Sequence, residues 1–274
     1  MEHRGERGVN GLLLRSSVLV PALVAWEAAT RSAGSAFFPP PSAIAAAAAR
    51  LWFSGPATQA FLADTVFEDV LPSVVRVLTG WLIAVVLGVT AGVALGRSRV
   101  ALDYVGPQLA FARAVPPPTL IPVFLVLFGI GSTMQIATIV FGALWPVLLN
   151  AADGARSLDS VQEDTARSLR TPLAYRITMV VLPAALPKIF AGLRLSLSIA
   201  VLLMVVSELV GAANGIGYEL IFAQRQFDFP VMWAWIALLG LLGYGLNTIL
   251  LVVERRVLRW QPSRASRKAT DVPA

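Results

Sequence analysis

Long apolar segments without charge limit what this chain can fold into. Val231–Val253 runs without one Asp, Glu, Lys or Arg, and so do Val77–Gly96 and Ser132–Asn150. A helix needs about 20 such residues to cross the roughly 30 Å hydrocarbon layer of a bilayer. Segments that clear this length decide the class, an integral membrane protein with helical spans. The charged fraction, 14%, is well below the quarter or so of a soluble domain. The expected fold class is therefore all-α, a polytopic membrane protein. Six transmembrane helices are expected, over 12–30, 73–96, 108–129, 132–150, 188–212 and 231–253. The first apolar run is followed by Glu27 and Arg31 rather than a small-residue cleavage pattern, so it reads as a retained span.

Two spans carry distinctive patterns. The third contains Pro116-Pro117-Pro118 and Pro122, so its helix is expected to break or kink near its start. The second places Gly80, Ala84, Gly88, Gly92 and Gly96 four residues apart. That spacing lines one helix face with small residues and permits close backbone approach, either within the subunit or along a dimer seam.

Positive charges set the orientation. Under the six-span map, eighteen of the 22 Lys and Arg residues lie in the N-tail, 97–113, 151–194 and the C-tail, and only Arg31, Arg50, Arg76 and Arg225 lie on the other side. Cytoplasmic loops carry such an excess, so both termini and the segment 151–187 are expected in the cytoplasm. The net charge of +6 therefore reflects topology and does not suggest a nucleic-acid partner.

Several activities are disfavoured. With no cysteine, and with His3 as the single histidine in the N-tail, there is no evident catalytic or metal-ligating set. No ionisable residue falls near the middle of a span, where proton relays and ion sites lie. A self-contained secondary carrier or channel is the alternative reading, which this absence disfavours, and an intramembrane enzyme stands behind it. Neither Lys188 nor Lys268 stands in a phosphate-cradling loop. Any nucleotide-derived energy must come from another chain.

The long polar insert remains. In DSVQEDTARSLRTPLAYRITMVVLP, residues 159–183, Ser160 and Glu163 are spaced as a capping box. Asp159, Glu163 and Asp164 suit the start of a helix, and Arg167 and Arg170 suit its end. Val161, Thr165 and Leu169 share one face. Pro172 is expected to end this helix at Thr171, and Thr171 to cap a second one. Such a helix can lie on a lipid surface or dock against another protein.

The segment 164–183 resembles the cytoplasmic loop signature, E-A-A-x3-G-x9-I-x-L-P, of the permease subunits of bacterial ABC importers. Asp164-Thr165-Ala166 stand for E-A-A, Arg170 for the glycine, Val180 for the isoleucine, and Leu182-Pro183 complete it. FFPPPSAI (37–44), the Ser73–Arg76–Gly80 run, Gly92–Gly96-Arg97, Arg113 with Pro116, Phe128-Gly129-Ile130-Gly131 and Ser207-Glu208 resemble the nitrate/sulfonate/taurine branch of this inner-membrane component family.

The resemblance implies a permease domain over 17–260 with a coupling loop at 151–187, between an N-tail (1–16) and a C-tail (261–274). It implies a bacterial inner-membrane subunit that pairs with a second copy of itself. Two ATP-binding subunits, which hold ATP and Mg, and a periplasmic or lipid-anchored substrate-binding protein complete the importer; this chain itself binds no cofactor. Ser160, Glu163, Asp164, Thr165, Ala166, Arg167, Leu169 and Arg170 would contact the ATP-binding subunit, with Ala166 at the closest approach. Arg170 departs from the family's glycine, so that turn either adopts another geometry, with Pro172 supplying the stop, or accepts strain so that Arg170 reaches an acidic group on the partner. Glu208, near the outer end of the fifth span, is a candidate for the translocation path; its alternative is a carboxylate reaching out to the interface.

Overall fold

The computed structural model of the chain describes residues 6–260, and the side chains of these except for 6–18, 160 and 167. The first five residues and the expected C-tail, 261–274, lie outside the described residues. Among the described residues every regular element is helical. They form two compact units, one from residues up to 71 together with 214–240, the other from 72–213 together with the residues from 241 onward.

The first unit holds α1 (Glu6–Ala33), α2 (Pro41–Trp52), α10 (Ile216–Arg225) and the first part of α11 (Phe229–Val257). Proline at the first position of α2 is preset for a helical start and forfeits only an amide that would have no partner there. Glu27 joins α1 to α2 by accepting from the Ser42 hydroxyl at 2.7 Å and the Ser42 amide at 3.0 Å. The Trp52 and Trp235 rings meet edge to face, with centroids 5.8 Å apart. Before α10, the buried Asp69 carboxylate accepts from the Gly215 amide at 2.9 Å.

The second unit holds α3 (Leu71–Gly96), α4 (Arg99–Ala114), α5 (Ile121–Phe128), α6 (Ser132–Arg156), α7 (Ser160–Ser168), α8 (Leu173–Arg176), α9 (Leu182–Gly211) and the rest of α11. Its core forms where Val147, Ala151 and Ala155 of α6 meet Ala185, Ile189, Leu193 and Leu197 of α9. The small-residue stripe of α3 packs against α6 in the same chain. A methyl group on Gly92 would lie 2.4 Å from the Leu148 carbonyl oxygen, and one on Gly96 2.3 Å from that of Ala152. Gly80 and Gly88 approach Ile139 and Val147 in the same way, and Ala84 is fully buried.

Among the described residues, four helical segments are long and apolar enough to cross a membrane: Val66–Gly96, Ser132–Arg156, Leu173–Gly211 and Phe229–Val257. A fifth counts if Arg99–Ala114 and Pro117–Phe128, bent by 82°, act as one broken span. The third expected span is thus no single helix: the triple proline ends α4, a short 3₁₀ turn follows at Pro117–Leu120, and α5 sets off in a new direction. The expected span 12–30 falls within α1, whose side chains are described only from residue 19.

Candidate functional site

The polar insert folds into α7, a sharp turn, α8 and a π-helical turn (Ile177–Val181) that leads into α9. At its start the structure shifts the expected cap by one residue. The Asp159 carbonyl accepts from the Glu163 amide at 3.1 Å, and the Asp159 carboxylate accepts from the Val161 amide at 3.1 Å. Asp159 therefore occupies the N-cap that was expected of Ser160. Ser160 and Arg167, both expected to contact a partner, have side chains outside the described residues.

Glu163 does something the spacing did not suggest. Its carboxylate accepts a hydrogen bond from the Arg97 guanidinium, just past the end of α3. Arg97 also donates to the Ala155 carbonyl in the last turn of α6, at 3.5 Å. One arginine thereby ties α7 to the ends of two long apolar helices.

Ala166 is buried within the chain itself, at 6% exposure. That corrects the expectation that it offers a small residue to a partner: a larger side chain here would first meet this chain's own packing. The outward face carries Val161 and Leu169, 68% and 74% exposed, with Thr165 and Asp164 also exposed.

Arg170 adopts a left-handed backbone with φ of 49°. The Thr171 amide reaches back to the Ala166 carbonyl at 3.0 Å, the six-to-one bond that closes a Schellman turn. Of the two expected alternatives, the structure shows the glycine geometry held by an arginine, at a conformational cost of about 1–2 kcal/mol. Pro172, in place of Thr171, then takes the N-cap of α8; its ψ of 146° is extended, and its carbonyl accepts from the Arg176 amide at 2.9 Å.

Charged pairs recur along α9. Lys188 donates to the Asp153 carboxylate of α6 at 2.6 Å, and Arg194 pairs with Glu254 of α11. Glu208 is 1% exposed, so it neither reaches the interface nor opens onto an accessible path within this chain. It accepts from the Ser73 hydroxyl at 2.7 Å and the Arg76 guanidinium at 2.9 Å. Arg76 also donates to Ser132 at 3.0 Å, so α3, α6 and α9 meet at one buried ionic contact. From the sequence, Ser73, Arg76 and Arg97 stand out as points of resemblance and, for the two arginines, as charges that set the orientation, with no partner assigned. A lone arginine at the edge of an apolar run was the available signal, but its partners lie 132 and 66 residues away.

A bundle of apolar helices braced by a buried ion pair, with a polar helix fastened to its ends, is the architecture of a multi-span membrane protein. Residues 84–259 match the family described as binding-protein-dependent transport system inner membrane component, and the chain belongs to that family, the permeases of ABC importers. It is similar to the putative aliphatic sulfonates transport permease protein of Bacillus subtilis, 34% identical over 74% of this chain and 73% of that one. It is likewise similar to the taurine transport system permease protein of Escherichia coli, 31% identical over 86% of this chain and 84% of that one. A bicarbonate transport system permease protein of Synechococcus elongatus is 31% identical over 70% of each chain. Among solved structures, a chain of the MetNI methionine ABC transporter in an inward-facing conformation overlays with a TM-score of 0.63, at 20% identity over 70% of this chain and 96% of that one. At that identity the overlay speaks for the fold alone. Family membership makes this chain a non-catalytic, membrane-embedded subunit.

Proposed function

We propose that this chain is the membrane-spanning subunit of an ATP-driven importer for small anionic or organic solutes of the sulfonate, taurine or nitrate type. It crosses the bacterial inner membrane six times, with both termini in the cytoplasm, with α1 as the first span and 17–260 as the permease domain. Two copies form the pathway, a periplasmic or lipid-anchored binding protein delivers the solute, and two partner chains bind and hydrolyse ATP. The sulfonate and taurine relatives support the solute class.

The observation that carries this reading is the Arg97–Glu163 contact. A helix lying loosely on lipid has no need of an ionic tie to the ends of two spans. A helix that transmits a push does, because motion of α7 must reach α3 and α6 without slack. Its exposed Val161–Thr165–Leu169 face is the surface that meets the ATP-binding subunit. The test is transport and ATPase activity measured together in proteoliposomes with the partner chains. Arg97→Gln is expected to keep assembly and ATP hydrolysis while lowering transport per ATP. Unchanged coupling would refute the strut. Orientation is tested separately in this cysteine-free chain: single cysteines at Ser160 and Ser266 are expected to react from the cytoplasm, and those at Ser54 and Gln224 from outside.

A further inference from the structure

A cavity of about 770 Å³ lies beside α7 in the second unit. Among the described residues, Arg97, Arg99, Arg156 and Arg176 line it, together with two carboxylates, Asp153 and Glu163. Both carboxylates are engaged, Glu163 by Arg97 and Asp153 by Lys188. Among the described residues Arg99, Arg156 and Arg176 form no ion pair. The Arg176 Nε is buried and has no hydrogen-bond partner. Arg99 and Arg156 are exposed and Arg176 is half-buried, so water screens much of their mutual repulsion, but the buried Arg176 donor left unmet is costly. An anion in the space would relieve both.

We propose that this cavity binds a phosphate-bearing anion through Arg99, Arg156 and Arg176. Guanidinium forks match phosphate oxygens two at a time, which a single carboxylate cannot do for three arginines at once. The volume exceeds one phosphate, and Leu158, Leu173 and Ile177 give the cavity an apolar edge. The ligand is therefore a phosphate joined to a further group, either an anionic phospholipid headgroup with its glycerol or a soluble phosphorylated compound. Basic pockets between membrane helices are a recurring form of headgroup site. Glu163 is in the cavity wall, so an occupant would brace α7. The site itself stands on its lining and not on the importer reading.

The experiment uses the full chain in neutral detergent, stripped of lipid, at fixed ionic strength. Pyrophosphate, short-chain phosphatidylglycerol and short-chain phosphatidylcholine are titrated while tryptophan fluorescence follows thermal unfolding. At least one of the first two is expected to raise the midpoint, and phosphatidylcholine is not. Arg156→Gln and Arg176→Gln are each expected to weaken that effect about tenfold or more, since each removes a charge-assisted contact. Arg255→Gln, exposed on α11 and outside the cavity lining, is expected to bind as the unaltered chain does. A response to phosphatidylglycerol alone supports the site and assigns the headgroup; a response to pyrophosphate supports it and assigns a soluble ligand. A midpoint unmoved by both anions, or moved equally in the arginine variants, overturns the proposal. If Arg176→Gln instead loses only the ATP-binding partner in a pull-down, the arginines belong to an acidic protein surface, and the proposal is likewise overturned.

Discussion

Replacing Glu208 by Gln tests the buried ionic contact that joins α3, α6 and α9. The Glu208 side chain is 0% exposed and that of Arg76 7%. Water therefore cannot compensate either charge when the other is removed, and breaking one side of such a pair costs about 3–5 kcal/mol. Glutamine keeps an oxygen that can still accept from Ser73 and Arg76, so the lower end, about 3 kcal/mol, is expected. By the scaling for chains of this size the thermal midpoint should fall by roughly 6–12 °C. Arg76→Met takes the guanidinium from the carboxylate, which keeps its Ser73 hydrogen bond, and should cost a similar amount or less. The double variant carries neither charge of the pair, so its loss should be far smaller than the two single losses combined. The assay is thermal unfolding in detergent, read by tryptophan fluorescence, for all four members of the cycle. If the single losses add to within about 0.5 kcal/mol, the limit for independent sites, the two groups do not act on each other and the clamp is refuted.

Arg170→Gly should stabilise the α7 turn by up to about 1 kcal/mol, the relief of a left-handed side-chain residue less the added freedom of the unfolded glycine; slower proteolysis within 159–176 checks this, and faster cleavage would show that the arginine side chain holds the turn. Val161→Asp combined with Leu169→Asp places charge on the exposed face of α7, and it should release the ATP-binding partner in pull-downs while leaving membrane insertion and thermal stability intact. Gly96→Val must push a side chain into the Ala152 carbonyl, so a loss of about 1–3 kcal/mol is expected in thermal unfolding, against little change for Gly240→Ala, which has open space around it. In the first unit, burial, with the Asp69 charge adding, pushes the Glu219 carboxyl above its ordinary value. The native state then holds this proton more tightly than the unfolded chain does. Its contribution is present below the ordinary carboxylate pKa and is lost as pH rises through the raised native value. Unfolding scans across that range should show a decline that Glu219→Gln flattens, and a decline that survives in the variant would assign it to another group.

The sequence alone determined that the chain crosses a membrane as helices. Hydrocarbon leaves an unpaired backbone no other partner, so length and apolarity suffice for that conclusion. It also determined that 159–183 stands apart and that the prolines at 116–118 interrupt a span, since each of these is a local property of the backbone; that Arg170 sits where a turn wants glycine came from the family signature. Tertiary structure decided what covers each face. The four-residue stripe of α3 showed that something must approach closely, and only the packing showed that it is α6 of the same chain. Ala166 is small for its own neighbours, and periodicity cannot tell an inward methyl group from one offered to a partner. Glu163 and Glu208 were legible as a helix cap and a span-end carboxylate because those readings need only nearby residues. Their guanidinium partners are brought to them by the folding of α3 against α6, α7 and α9. Charge pairing acts over a few ångströms in space, and nothing in the order of residues records which distant segments come within that reach.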